Sequence, residues 1–173
     1  HVDWKVWARQ DRLYVKQFEE ETNLRCTLVV DVSASMAYGN GVLNKYEYAC
    51  TLASSLAYLV LQQHDAIGCV AFDERVRATI PPRSQQNHLQ SVIDSLNVHQ
   101  PREKTATYAV FREVAETFPR RGLMVLVSDL LTSPADTLRG LRLLRQRGHD
   151  VIVFHVLDDD ELEFPFMGPT RFD

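Results

Sequence analysis

The stretch Leu28-Val29-Val30-Asp31-Val32-Ser33-Ala34-Ser35 decides the fold. A β-branched apolar run stops abruptly at a carboxylate followed by hydroxyls at alternate positions. Runs such as Leu28 to Val30 suit a strand buried on both faces. The polar residues then fall just past its carboxyl end, where open α/β sheets place their ligands. A buried strand needs no polar triplet there, whereas a hard cation does. Asp31, Ser33 and Ser35 are therefore candidate ligands of a divalent metal.

Working outward, the same pattern repeats. Ala66 to Phe72 and Leu123 to Val127 are further continuous apolar strands, and the second ends in Ser128-Asp129. Val151 to Val156 is the next strand. Between them lie amphipathic helices. Lys45 to Gln63 turns Tyr46, Ala49, Cys50, Ala53, Leu56, Ala57 and Val60 inward, and Gln86 to Asn97 turns Leu89, Val92, Ile93 and Leu96 inward. Tyr108 to Phe118 is a third helix. A fourth begins at Ser133 as cap, has Pro134 in its first turn, is lined by Leu138, Leu141 and Leu144, and ends at Gly148. Arg75 to Ile80 reads as an antiparallel edge strand after the Asp73-Glu74 turn, stopped by Pro81-Pro82. Strands alternating with helices predict a doubly wound α/β domain, its mostly parallel sheet carrying one antiparallel edge strand and helices on both faces.

Composition agrees with one globular domain of 173 residues, 45% apolar and 24% charged. A net charge of −4 gives no reason to expect nucleic acid or anionic membrane as a partner. No apolar run approaches the ~20 residues of a membrane span. Three well-separated cysteines, Cys26, Cys50 and Cys69, read as reduced core thiols and favour a cytoplasmic setting. A chain that begins at His1 reads as a piece of a longer protein. Residues 1–24 form a separate segment in which Trp4, Trp7, Tyr14 and Phe18 alternate with charges, and Leu13 to Phe18 suits an edge strand.

Three loops are expected to converge at the carboxyl ends of the sheet. They offer Asp31, Ser33 and Ser35; Thr105 or Thr107; and Asp129. All are oxygen ligands, which suit Mg²⁺, Mn²⁺ or Ca²⁺. Taken alone, Asp-x-Ser-x-Ser is more often a cap or turn, but the long helix starts well beyond Ser35. The four arginines Arg139, Arg142, Arg145 and Arg147 read as a solvated face, and Asp158 to Glu161 as an acidic turn.

These residues resemble the metal-ion-dependent adhesion site of von Willebrand factor A domains over Arg25 to Leu157, within a domain taken as 25–173. The resemblance implies that Asp31, Ser33 and Ser35 match the motif, Thr105 its threonine and Asp129 its strand-end aspartate. It also implies a coordination position left for a carboxylate of a partner protein. The threonine loop departs from the pattern: Arg102-Glu103-Lys104-Thr105 stands where such domains read Gly-Gly-Thr or Gly-Thr. Thr107 is then the fallback, and Lys104 a competitor of the metal. Val2-Asp3-Trp4-Lys5 with Ala8-Arg9, leading into Phe18-Glu19-Glu20-Glu21, resembles the bacterial domain-of-unknown-function fifty-eight (DUF58) family. That similarity implies a protein-binding or adaptor role beside a MoxR-type AAA+ ATPase. A Mg²⁺-dependent phosphatase with Asp31 as nucleophile would need an acid where Ser33 stands, so the expectation is a non-enzyme. A metal-free scaffold is the other alternative.

Overall fold

The computed structural model describes residues 24–97 and 107–164. Strand β1 (Arg25–Asp31) is followed by a short 3-10 turn (Ala34–Ala37), helix α1 (Lys45–Gln62), strand β2 (Ala66–Phe72) and strand β3 (Val76–Arg83). Helices α2 (His88–Asn97) and α3 (Thr107–Thr117), strand β4 (Leu123–Ser128), helix α4 (Pro134–Gln146), strand β5 (Asp150–His155) and helix α5 (Asp159–Glu163) complete the order. The sheet runs β3-β2-β1-β4-β5. All its pairs are parallel except β2 with β3. The doubly wound α/β expectation therefore holds, with β1 at the centre.

Burial on both sides explains the unbroken apolar strands. Leu28, Val30, Cys69 and Val127 pack with the Ala49, Ala53, Ala57 and Leu61 stripe of α1. Val29, Phe72, Leu126, Phe111, Val114 and Leu144 form the layer on the other face. Phe72 and Phe111 meet edge to face, with ring centroids 6.2 Å apart.

Several sequence expectations are corrected. Strand β3 continues through Pro81-Pro82 instead of stopping there. Ile67 pairs with Arg83 and Cys69 with Ile80, so the two prolines lie opposite Gly68 in a bulge of an edge pair. A bulge at a sheet edge is where a strand tolerates residues with no N–H to donate. Gly68 is the complement, since an added Cβ would lie 2.7 Å from the Ile80 carbonyl oxygen.

Helix α4 packs on Thr137, Gly140 and Leu144, while Leu138 is exposed. A Cβ on Gly140 would fall 2.2 Å from Phe111 Cδ2, so the helix lies closer to α3 than leucines would allow. Ser133 makes no side-chain cap; its carbonyl accepts from the Thr137 N–H at 3.0 Å instead. Asp158 to Glu161 is more than an acidic turn. Asp158 caps α5 in a reciprocal box with Glu161, each side chain accepting from backbone of the other's end. The four arginines of α4 and its end are exposed as expected, with Arg139 stacked 4.1 Å from the centre of the Tyr108 ring.

Candidate cation site

Parallel register places the site. Val30 pairs with Val127, so the next residues along, Asp31 and Ser128, emerge side by side at the carboxyl ends of β1 and β4. Ser128 Oγ donates to Asp31 Oδ2 at 2.6 Å, and the Ser33 N–H donates to Asp31 Oδ1 at 2.9 Å. Asp31 is fully buried. Burial pushes its carboxyl pKa up; the hydrogen bonds from Ser128 and Ser33 oppose this, and the nearby charge of Asp129 adds to it.

Beyond Asp31 the chain makes one more strand-like step. The Val32 N–H donates to the Phe72 carbonyl at 2.7 Å, and then the 3-10 turn buries Met36. This turn brings Ser33 and Ser35 onto the same side, where their hydroxyls hydrogen-bond each other, Oγ to Oγ 3.1 Å. Ser33 is buried and Ser35 half-buried. The motif is thus no helix cap, because α1 is capped separately by an Asn44–Glu47 box.

Asp129 follows β4 and is buried. Its Oδ1 accepts from the Leu131 N–H at 3.1 Å, and its Oδ2 accepts from Lys45 Nζ at 2.8 Å. Lys45 Nζ also donates to Glu161 Oε1 of α5 at 2.7 Å. Lys45 and Glu161 are the residues sequence reasoning missed at this site. The signal for Lys45 was present: it stands four residues before Ala49, on the stripe Lys45, Ala49, Ala53, Ala57, Leu61 that α1 buries. Glu161 had no such signal, because its role depends on α5 returning to the loop after the motif. There Tyr38 Oη donates to Asp160 at 3.0 Å, and Asn40 donates to the same carboxylate.

The structure brings Asp31, Ser33, Ser35 and Asp129 to one rim. Thr105 and Lys104 lie outside the described residues, as do Trp4, Trp7 and the Leu13–Phe18 segment. Thr107, the fallback ligand, is buried in the first turn of α3, and its hydroxyl donates to Thr132 Oγ1 at 2.9 Å. It belongs to a threonine hydroxyl chain that runs on to Thr137. Among the described residues, no group of three or more His, Cys, Asp or Glu is placed to hold a metal. A cation here would rest on serine hydroxyls and two carboxylates. The rim opens into a cleft of about 690 Å³ lined by residues including Ser35, Lys45, Asp129, Leu131, Leu157 and Glu161.

Residues 1–173 match the family model described as "Protein of unknown function DUF58". The chain belongs to the DUF58 family. This DUF58 chain is 28% identical over 170 residues to the uncharacterized protein Rv1480 of Mycobacterium tuberculosis, a match covering 96% of the chain. It spans about half (53%) of the length of that relative. Among solved structures it is similar to BatB of Bacteroides thetaiotaomicron, with 19% identity, a TM-score of 0.62, and coverage of 75% of this chain and 65% of that one. An aerotolerance-related membrane protein of Bacteroides fragilis gives 22% identity and a TM-score of 0.64, with 77% and 67% covered. The manganese-loaded TRAP protein of Plasmodium vivax gives 17% and 0.53, with 77% and 57% covered. The DUF58 chain therefore has the α/β fold that these structures share.

Proposed function

We propose that this DUF58 domain is a protein-interaction module that presents a divalent cation to an acidic side chain of a partner protein. The observation that carries this reading is the 3.1 Å separation of the Ser33 and Ser35 hydroxyl oxygens. Adjacent ligands of an octahedral ion with bonds of about 2.1 Å stand ~3.0 Å apart, so the pair suits Mg²⁺ or Mn²⁺. Asp31 and Asp129 supply negative charge beneath and beside the hydroxyls. Bound there, the ion would supply a positive centre that a carboxylate can ligate, a contact that strengthens once a docked partner excludes water from the cleft. TRAP, which shares the fold, is a manganese-loaded protein, and this is in keeping with the choice of ion.

Binding is favoured over catalysis by Ser33. A phosphoryl-transferring Asp31 would need a general acid at that position, and a serine hydroxyl is too weak an acid for the work. A MoxR-type AAA+ ATPase is the partner this reading names first, on the family resemblance alone. A cytoplasmic setting belongs to the same reading, supported by the free thiols of Cys26, Cys50 and Cys69.

Calorimetric titration with Mg²⁺ and Mn²⁺ tests the ion. Wild type is expected to give heat that the Ser33→Ala/Ser35→Ala double variant lacks, and equal heats would overturn the assignment. Affinity capture from native lysate, with Mg²⁺ or with EDTA, tests the partner. Capture lost in EDTA and in Asp129→Ala supports the module as described. One observation favours a second reading, a metal-free scaffold: the Lys45 ammonium already sits between Asp129 and Glu161. Capture that survives EDTA would select it.

A further inference from the structure

Lys45 goes against two tendencies at once. As the first residue of α1 it puts a cation at the positive end of the helix dipole. It is also only 3% exposed, and lysine is almost never fully buried unless paired. What holds it there is its pair of carboxylates, Asp129 at 2.8 Å and Glu161 at 2.7 Å, with the Tyr38 ring centre 5.7 Å from Nζ. Both oxygens of Asp129 already have a partner, Oδ1 the Leu131 N–H and Oδ2 the Lys45 ammonium, so a cation ligated by Oδ2 would share that oxygen with Lys45. Asp31 is similarly committed to Ser128 and Ser33. A divalent cation at the serine pair that draws on Asp129 therefore meets an ammonium already bound to that carboxylate.

Resting on the cation reading above, we propose that Lys45 is a built-in competitor: its ammonium and the divalent cation contend for Asp129, so Lys45 sets how tightly the site holds metal. Glu161 makes the contest reversible. Lysine drawn off Asp129 keeps a carboxylate partner on α5 and is never left buried and unpaired, which would be prohibitively costly. The competing cation in this proposal is Lys45 of α1; Lys104, the competitor expected from the threonine loop, lies outside the described residues.

The test is Mn²⁺ binding to the full chain, read from the loss of the free-ion signal in electron paramagnetic resonance. Wild type is compared with Lys45→Met, Lys45→Gln and Lys45→Arg, each checked for fold by circular dichroism. Methionine and glutamine, which remove the charge, are expected to tighten Mn²⁺ at least tenfold. Arginine, which keeps it, is expected to stay within threefold of wild type. Glutamine decides the matter if methionine fails to fold, because it removes the charge while keeping a polar end beside the carboxylates. A rise in Tm on adding Mn²⁺, larger for Lys45→Gln than for wild type, is the second readout. Unchanged or weaker affinity in Met and Gln, or tightening in Arg, overturns this inference and leaves the cation reading standing. No Mn²⁺ binding by any of the four proteins overturns both.

Discussion

Removing the charge of Lys45 should cost the fold heavily when done alone and much less when Asp129 loses its charge too. Both side chains are 1% exposed, so solvent does not screen the pair. Taking away one member of a buried ion pair strands the other, at a typical cost of about 3–5 kcal/mol. For a domain of this size each kcal/mol moves Tm by about 2–4 °C, so Lys45→Met should lower Tm by roughly 6–20 °C in chelated buffer. Asp129→Leu should cost less, because the ammonium keeps Glu161 as its partner, although the Leu131 N–H loses its acceptor. Together the two substitutions replace the pair by apolar groups, and the loss should fall short of the sum by at least ~2 kcal/mol. The assay is urea unfolding of the four proteins of the cycle, with EDTA present throughout. Losses that add to within about 0.5 kcal/mol would show that the two groups are energetically independent and refute the reasoning.

Gly140→Ala should destabilise by about 1–3 kcal/mol, since its Cβ would fall 2.2 Å from Phe111 Cδ2 and push α4 off α3; urea unfolding would detect it, and a neutral result would mean that the contact is loose. Asp31→Asn should abolish the Mg²⁺ heat yet leave the fold as stable as wild type or up to about 2 kcal/mol more so, because burial works against the charge that the substitution removes. A less stable Asp31→Asn would show that the hydrogen bonds from Ser128 and Ser33 outweigh that burial. Burial pushes the thiols of Cys26 and Cys69 from 9.0 up to about 12, with Asp65 adding to the first and Cys50 to the second. Above pH 9 the unfolded chain ionises these groups while the folded chain does not, so stability is intact below that pH and is lost as pH rises toward 12. The two thiols contribute a slope of roughly 2.7 kcal/mol per pH unit, which Cys26→Ala with Cys69→Ala should remove. An unchanged alkaline slope would contradict it.

The parts of the fold that could be read in advance are those in which one residue's environment repeats along an element. β1, β2 and β4 are buried on both faces, so their sequences are nearly continuous apolar runs, and α3 keeps Val110, Phe111, Val114 and Ala115 on a single buried face. What could not be read depends on contacts between elements. Gly140 and Thr137 look like surface residues until Phe111 packs against the helix, and Pro81-Pro82 looks like a strand end until Gly68 makes room for a bulge. At the site, Asp31, Ser33, Ser35 and Asp129 were legible because each ends or follows a buried strand. Lys45 was passed over because a lysine at a helix start looks solvated, although the four-residue stripe of small residues pointed back to it. Glu161 reaches the site only through tertiary folding, 116 residues along the chain from Lys45.

The most direct test of the cation site is a crystal structure of the full chain grown or soaked with Mn²⁺ and measured for anomalous scattering. One strong peak is expected within about 2.1–2.3 Å of both Ser33 Oγ and Ser35 Oγ, on the side of Asp31 and Asp129. A peak among Asp158, Asp159 and Asp160, or none at the serine pair under saturating Mn²⁺, would contradict it.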